Sequence, residues 1–181
     1  MKSEIVSRII EFIKSIIQKF TKQETTSNKK SVSKRSTKKR NDMWLIKKYE
    51  GFSSKPYLCP AGVATIGYGT THYSNGTKVT MQDKPISKEE ADALLLHYVI
   101  NEIEPYIRDL SLTDNQREAL QSLIYNIGAQ AFLKSKCYKA IKNGDMCTAY
   151  VEWDWIKAGG KVLPGLIKRR AEEKYLFFCE I

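Results

Sequence analysis

The sequence predicts a mostly helical α+β domain with a small antiparallel hairpin, joined through a basic linker to a separate amphipathic helix. Three observations predict it. Apolar residues recur at three- and four-residue spacing in successive segments of the second half, set between capping residues and glycines. From Tyr57 to Val79 that period gives way to short β-prone pieces, VATIGYG and TKVTM, punctuated by glycines and by Asn75-Gly76, a hairpin-turn signal. Residues 23–42 hold a single aliphatic side chain, Val32, among Lys, Arg, Ser and Thr.

Residues 1–22 place Ile5, Val6, Ile9, Ile10, Ile13, Ile16, Ile17 and Phe20 along one helical face, with Arg8, Glu11, Lys14 and Lys19 elsewhere. Those charges interrupt what would be the apolar core of a secretory signal, so none is expected. Nor does any stretch reach the roughly 18 uncharged apolar residues of a membrane span. Residues 23–42 bury too little to offset chain entropy and are expected to be a disordered linker. Twelve of the 30 Lys and Arg but only four of the 20 Asp and Glu lie in the first 42 residues, so the net charge of +10 belongs mainly to this extension.

A compact domain is expected over 43–181. MWLIKKYEGF reads as a helix that turns Trp44, Leu45 and Ile46 inward, presents Glu50 at its end and stops at Gly51. The β-prone stretch follows. Ser87 and Glu90 form a capping box that opens a helix through SKEEADALLLHYVINEIEPYI. Thr113 caps DNQREALQSLIYNIG, which Gly128 ends. Ala131 to Asn143 and Asp145 to Lys157 read as two further helices around Gly144, with Trp153 and Trp155 on the second. GGKVLPG reads as a loop, and LIKRRAEEKYLFFCE as a closing helix. The cysteines at 59, 137, 147 and 179 form no C-x-x-C pair and have two histidines to join them, which argues for thiols and against a zinc site.

Five ordered segments, KKYEGF, GVATIGYGTT, SKEEADALL, LTDNQREALQSLIYNIGAQAF and GGKVLPGLIKRRAEEKYLF, carry a likeness to a known family. From Met43 to Phe178 the chain resembles the phage-type lysozymes, glycoside hydrolase family 24, found as phage endolysins. The resemblance implies a lysozyme-like fold and peptidoglycan as substrate. It also implies cleavage between N-acetylmuramic acid and N-acetylglucosamine, with no cofactor and no metal. Such an enzyme waits in the host cytoplasm until lysis and then acts at the wall. The family's motif is a glutamate, eight residues, an aspartate or cysteine, five residues and a threonine. Glu50, Cys59 and Thr65 match it in the cysteine form. By the same resemblance a basic residue of GLIKRRAEE, Arg169 or Arg170, pairs with the glutamate. The resemblance further implies Tyr68, Gly69, Gln116, Asn126 and Trp153 as cleft residues that would offer stacking or amide hydrogen bonds to N-acetyl sugars.

Residue types alone assign the chemistry. Glycoside cleavage needs a proton for the leaving oxygen while positive charge develops on the ring, and Glu50 is the candidate acid. A retaining route needs a second carboxylate about 5 to 5.5 Å away, which the matching position lacks, so an inverting route fits better. In that route Thr65 orients a water and Cys59 assists it. A thiol near its reference pKa of about 8.5 is a weak base at neutral pH unless a neighbour such as Lys55 lowers it. Two alternatives stay open: a lytic transglycosylase, and a non-catalytic peptidoglycan-binding protein on the same scaffold. For residues 5–20 three readings stand together: an anionic membrane surface, a partner protein or second copy, and a leader. The basic run beside them is expected to bind no specific nucleic acid.

Overall fold

The protein is described here by a computed structural model covering residues 42–179; the helix and linker expected before Asp42 lie outside the described residues. The described chain runs α1 (Trp44–Glu50), β1 (Ser53–Leu58), β2 (Ala64–Gly67), α2 (Lys88–Tyr98), a π-helical turn (Val99–Ile103), α3 (Glu104–Ile107), α4 (Asp114–Ile127), α5 (Ala129–Lys134), α6 (Lys136–Lys142), α7 (Met146–Glu152), β3 (Lys157–Ala158), β4 (Lys161–Val162) and α8 (Pro164–Phe178). It is mostly helical, with the small antiparallel sheet directly after α1.

α4 organises the fold. Its residues from Glu118 through Ile124 are all buried, so it is covered on every side, unlike a surface helix with a single apolar stripe. α8, α1, α5 and the π-helical turn supply that cover. Leu120, Leu123, Phe132, Trp153 and Phe177 are withdrawn from solvent and form one core with Leu45 and Ile46. Each such side chain contributes about 1.5–3 kcal/mol by burial. The reciprocal capping boxes of Ser87 with Glu90 and of Thr113 with Gln116 open α2 and α4.

α1 has no side-chain cap of its own. The cap comes from α4: Glu118 Oε1 accepts the Leu45 N–H at 2.9 Å. A carboxylate at a helix N-terminus satisfies an otherwise orphaned donor and complements the helix dipole. Met43, just before the helix, takes the left-handed conformation (φ 53°) while its side chain stays buried. The helix that ends in Glu50 is therefore anchored at its start by a residue far away in sequence.

Four local expectations change in three dimensions. The sheet pairs Ser53–Leu58 with Ala64–Gly67, one strand earlier than expected; Asn75-Gly76 does make a turn, but TKVTM contributes only the isolated bridge His72 to Lys78. Pro56 lacks an N–H, which hid β1, yet a two-stranded sheet leaves an edge where proline is tolerated. The helix expected from Ala131 to Asn143 breaks at Ser135, which turns extended and caps Tyr138 N–H with its hydroxyl. α7 ends at Glu152, so Trp153 and Trp155 leave the helix, and GGKVLPG supplies the turn and β4 of the β3–β4 hairpin and the first two residues of α8.

Candidate active site

Glu50 is the last residue of α1, and Gly51 at φ 70° ends the helix there. The carboxylate is a quarter exposed, and Arg169 Nη1 donates to its Oε1 at 2.7 Å. Of the two candidate arginines, Arg169 is thus the one that meets Glu50; Arg170 turns to Glu173. On the other side lies Gly69, where a Cβ would sit 3.9 Å from Glu50 Oε2 and 3.2 Å from the Tyr125 hydroxyl. Its φ of 104° is one that L side chains rarely adopt. The space beside Oε2 stays clear for both reasons.

Arg169 is itself held from behind. Its Nε donates to Glu173 Oε1 at 3.1 Å and its Nη2 to the Ser122 carbonyl at 3.0 Å. Glu173 is completely buried and also accepts from Arg170, from the Ser122 hydroxyl at 2.7 Å and from the Trp153 indole N–H at 3.2 Å. Two carboxylates and two guanidiniums balance in charge, and only Glu50 reaches solvent. Arg169 is hydrogen-bonded through all three nitrogens, whereas Arg170 bonds Glu173 through Nη2 and keeps its buried Nη1 without a hydrogen-bond partner among the described residues.

Cys59 and Thr65 belong to the hairpin. Tyr57 and Thr65 are direct cross-strand partners, and Cys59 follows Tyr57 by two residues, so the three share one face. The Cys59 thiol is held below its usual pKa by the backbone N–H groups of Val63 and Ala61 in the β1–β2 turn, helped by the Thr65 hydroxyl. The cause is backbone dipoles, whereas the sequence suggested Lys55. Thr65 is 3% exposed, and its hydroxyl is also placed to donate to the Val63 carbonyl at 3.0 Å. Its single proton serves either Val63 or the sulfur. The Tyr57 phenol is pushed up by burial, then by the charges of Glu50 and Cys59, which places Tyr57 within electrostatic reach of both.

Other expected residues lie elsewhere. Trp153 is a correction: it is fully buried against Phe177 and bonded to Glu173, so it offers no face to a sugar. Tyr68 is also buried, with its ring against Phe52; what reaches the cleft is its carbonyl, which accepts from the Tyr125 hydroxyl at 2.9 Å. Gln116 caps the start of α4 and donates to the Phe177 carbonyl. Nine residues separate it from Tyr125, about 13 Å along the axis. Asn126 is exposed at the other end of α4, beside Tyr125.

Tyr57, Tyr125, Ser122 and Glu173 were not singled out from the sequence. One had a signal: Glu173 stands four residues after Arg169 and three after Arg170, the spacing of helical ion pairs. The tyrosines had none, because hairpin register and helix packing bring them together.

The comparisons agree with this architecture. The phage lysozyme family model matches residues 47–173. An endolysin of Acyrthosiphon pisum secondary endosymbiont phage 1 is 42% identical over 141 residues, covering 74% of this chain and 92% of that one. A SAR-endolysin of Bacteriophage PS119 is 37% identical over 131 residues, covering 69% and 74%. Among solved structures, the muramidase domain of SpmX from Asticaccaulis excentricus is 35% identical with a TM-score of 0.63, covering 76% of this chain and 95% of that one. The endolysin from Escherichia coli O157:H7 phage FAHEc1 is 28% identical with a TM-score of 0.67, covering 82% and 97%. With a matched family model spanning most of the chain and a fold to agree, this chain belongs to the phage lysozyme family and is a cell-wall lytic hydrolase of the lysozyme type.

Proposed function

We propose that the chain is a muramidase that hydrolyses the β-1,4 bond between N-acetylmuramic acid and N-acetylglucosamine in peptidoglycan by an inverting route. The observation that carries this reading is the asymmetric setting of Glu50: Oε1 is fixed by Arg169, while Oε2 faces the side-chain-free Gly69. Glu50 gives its proton to the glycosidic oxygen as the bond from that oxygen to the anomeric carbon breaks. A water attacks that carbon from the opposite face. Cys59, entering as the thiolate that the turn's N–H groups favour, takes the proton that water loses and becomes a thiol, and Thr65 aligns the sulfur. Exchange with solvent returns Glu50 and Cys59 to their starting protonation.

The test is release of reducing ends and the masses of products from purified peptidoglycan. Hydrolysis adds one water to the cut strand, and a transglycosylase leaves an anhydro end instead. Glu50→Gln is expected to lose at least about a thousandfold in kcat, because acid catalysis and its alignment vanish together. Cys59→Ser is expected to lose about a hundredfold and to flatten the rise of kcat with pH through the thiol's titration. Undiminished turnover in Glu50→Gln would sink the assignment.

A further inference from the structure

We propose that Tyr98, exposed at the end of α2 with its ring against Tyr125, is a stacking surface for a saccharide ring of the glycan strand. The identity of the ligand rests on the muramidase reading; the surface itself rests on geometry. Tyr98 is 43% exposed and Tyr57 38%, so each offers part of an aromatic ring to solvent. They come from different parts of the fold, Tyr57 from the hairpin and Tyr98 from the end of α2.

Tyr125 joins them. Its hydroxyl is tied to the Tyr68 carbonyl, and it stands 3.2 Å from the position a Gly69 Cβ would take, itself 3.9 Å from Glu50 Oε2. The Tyr98 ring meets the Tyr125 ring edge-on with centroids 5.2 Å apart. From the acid to Tyr98 is thus a short chain of contacts: Glu50, the bare Gly69 backbone, Tyr125, Tyr98. The Tyr125 phenol is pushed up by burial and then by the charges of Glu50, Tyr98 and Tyr57, so each of these three lies near Tyr125.

The π-helical turn accounts for the position of Tyr98. Glu104 N–H bonds back to the Val99 carbonyl, one residue farther than in an α-helix. A turn that takes more residues keeps Val99, Ile103 and Ile107, four apart, on one buried side. Tyr98 is left on the outer side, over Tyr125. Such turns are frequent at functional sites. A pyranose face presents C–H groups that suit the electron-rich face of an aromatic ring, and a phenol hydroxyl can bond a sugar hydroxyl or acetamido group. Tyrosine supplies both.

The experiment uses the full chain carrying Glu50→Gln, and a β-1,4 N-acetylglucosamine hexamer as probe, followed by calorimetry. Adding Tyr98→Ala is expected to weaken binding about tenfold, and Tyr98→Phe less than twofold. Tyr98→Leu, which keeps the bulk over Tyr125, is expected to behave as Tyr98→Ala and serves in its place if the alanine variant unfolds. Equal affinity across the series overturns the proposal, and so does a Glu50→Gln protein that does not bind the hexamer. Loss of affinity in Tyr98→Ala, with no reducing ends released from peptidoglycan by the unaltered protein, removes the muramidase reading and keeps the stacking surface. Turnover with an unchanged KM in Tyr98→Ala removes the stacking surface and keeps the muramidase.

Discussion

Glu118, where α4 meets α1, and Glu173, where α8 meets α4, are both withdrawn from solvent, at 2% and 0% exposed, yet their surroundings differ in kind. Glu118 is met by the backbone N–H groups of Leu45 and Met43, with Lys47 as its favourable charge and Asp42 as an adverse one; burial pushes its pKa up to about 7. Glu173 is met by two guanidiniums, a hydroxyl and an indole N–H; burial pushes it up, and Arg170, Ser122, Arg169 and Trp153 pull against burial. Backbone N–H groups and one lysine leave a buried carboxylate close to neutral pH, whereas two guanidiniums in direct contact hold it in a fixed pattern. The first region is sensitive to protons. The second positions Arg169, and through it Glu50.

The largest effect is expected from breaking the second region. Glu173→Gln leaves Arg169 and Arg170 buried without their shared counter-charge, which costs about 3–5 kcal/mol of stability in chemical denaturation. Under conditions where the variant is still folded, kcat is expected to fall while KM changes little, since Arg169 loses the partner that aims it. An unaltered denaturation midpoint would mean that the four charges do not act as a unit.

Next in size is the proton sensitivity of Glu118. Its folded pKa, about 7, lies above the reference value of 4.5, so the folded state binds the extra proton between those values. Stability from this group is complete below pH 4.5 and is lost as pH rises through about 7, at most about 3 kcal/mol in all. Glu118→Gln keeps an acceptor for Leu45 N–H and is expected to flatten stability over that window. If the slope survives the substitution, the titrating group is elsewhere.

The smallest test removes one hydrogen bond from the better-matched region. Ser122→Ala deletes the hydroxyl at 2.7 Å from Glu173 and near Arg169 Nε, and is expected to cost about 1.5–3 kcal/mol. Glu173 keeps both arginines, so this loss should stay below that of Glu173→Gln. The reverse order would assign the hydroxyl, and not the charge balance, as what holds the cluster.

How much of this was legible in the sequence follows the range of each interaction. The capping boxes at Ser87 and Thr113, the stop at Gly128 and the closing helix depend on residues three or four apart, and they appear where the pattern put them. The break at Ser135 and the early end of α7 were missed because local helical preference loses to packing there. Trp153 is the instructive error: an aromatic near cleft-like segments reads the same whether its indole faces sugar or Glu173. Burial is decided by neighbours more than ten residues away.

By itself the sequence determined the helical periodicity, the spacing of Glu50, Cys59 and Thr65, and the concentration of positive charge before the domain, because each is a property of neighbouring residues along the chain. Only the tertiary structure chose Arg169 over Arg170, made Glu118 the cap of α1, lowered the Cys59 thiol through its turn and brought Tyr57, Tyr98 and Glu50 up to Tyr125. These depend on which helical face, strand register and loop dipole meet after folding. Helix and strand periods leave that open until a common core fixes how the elements rotate against one another.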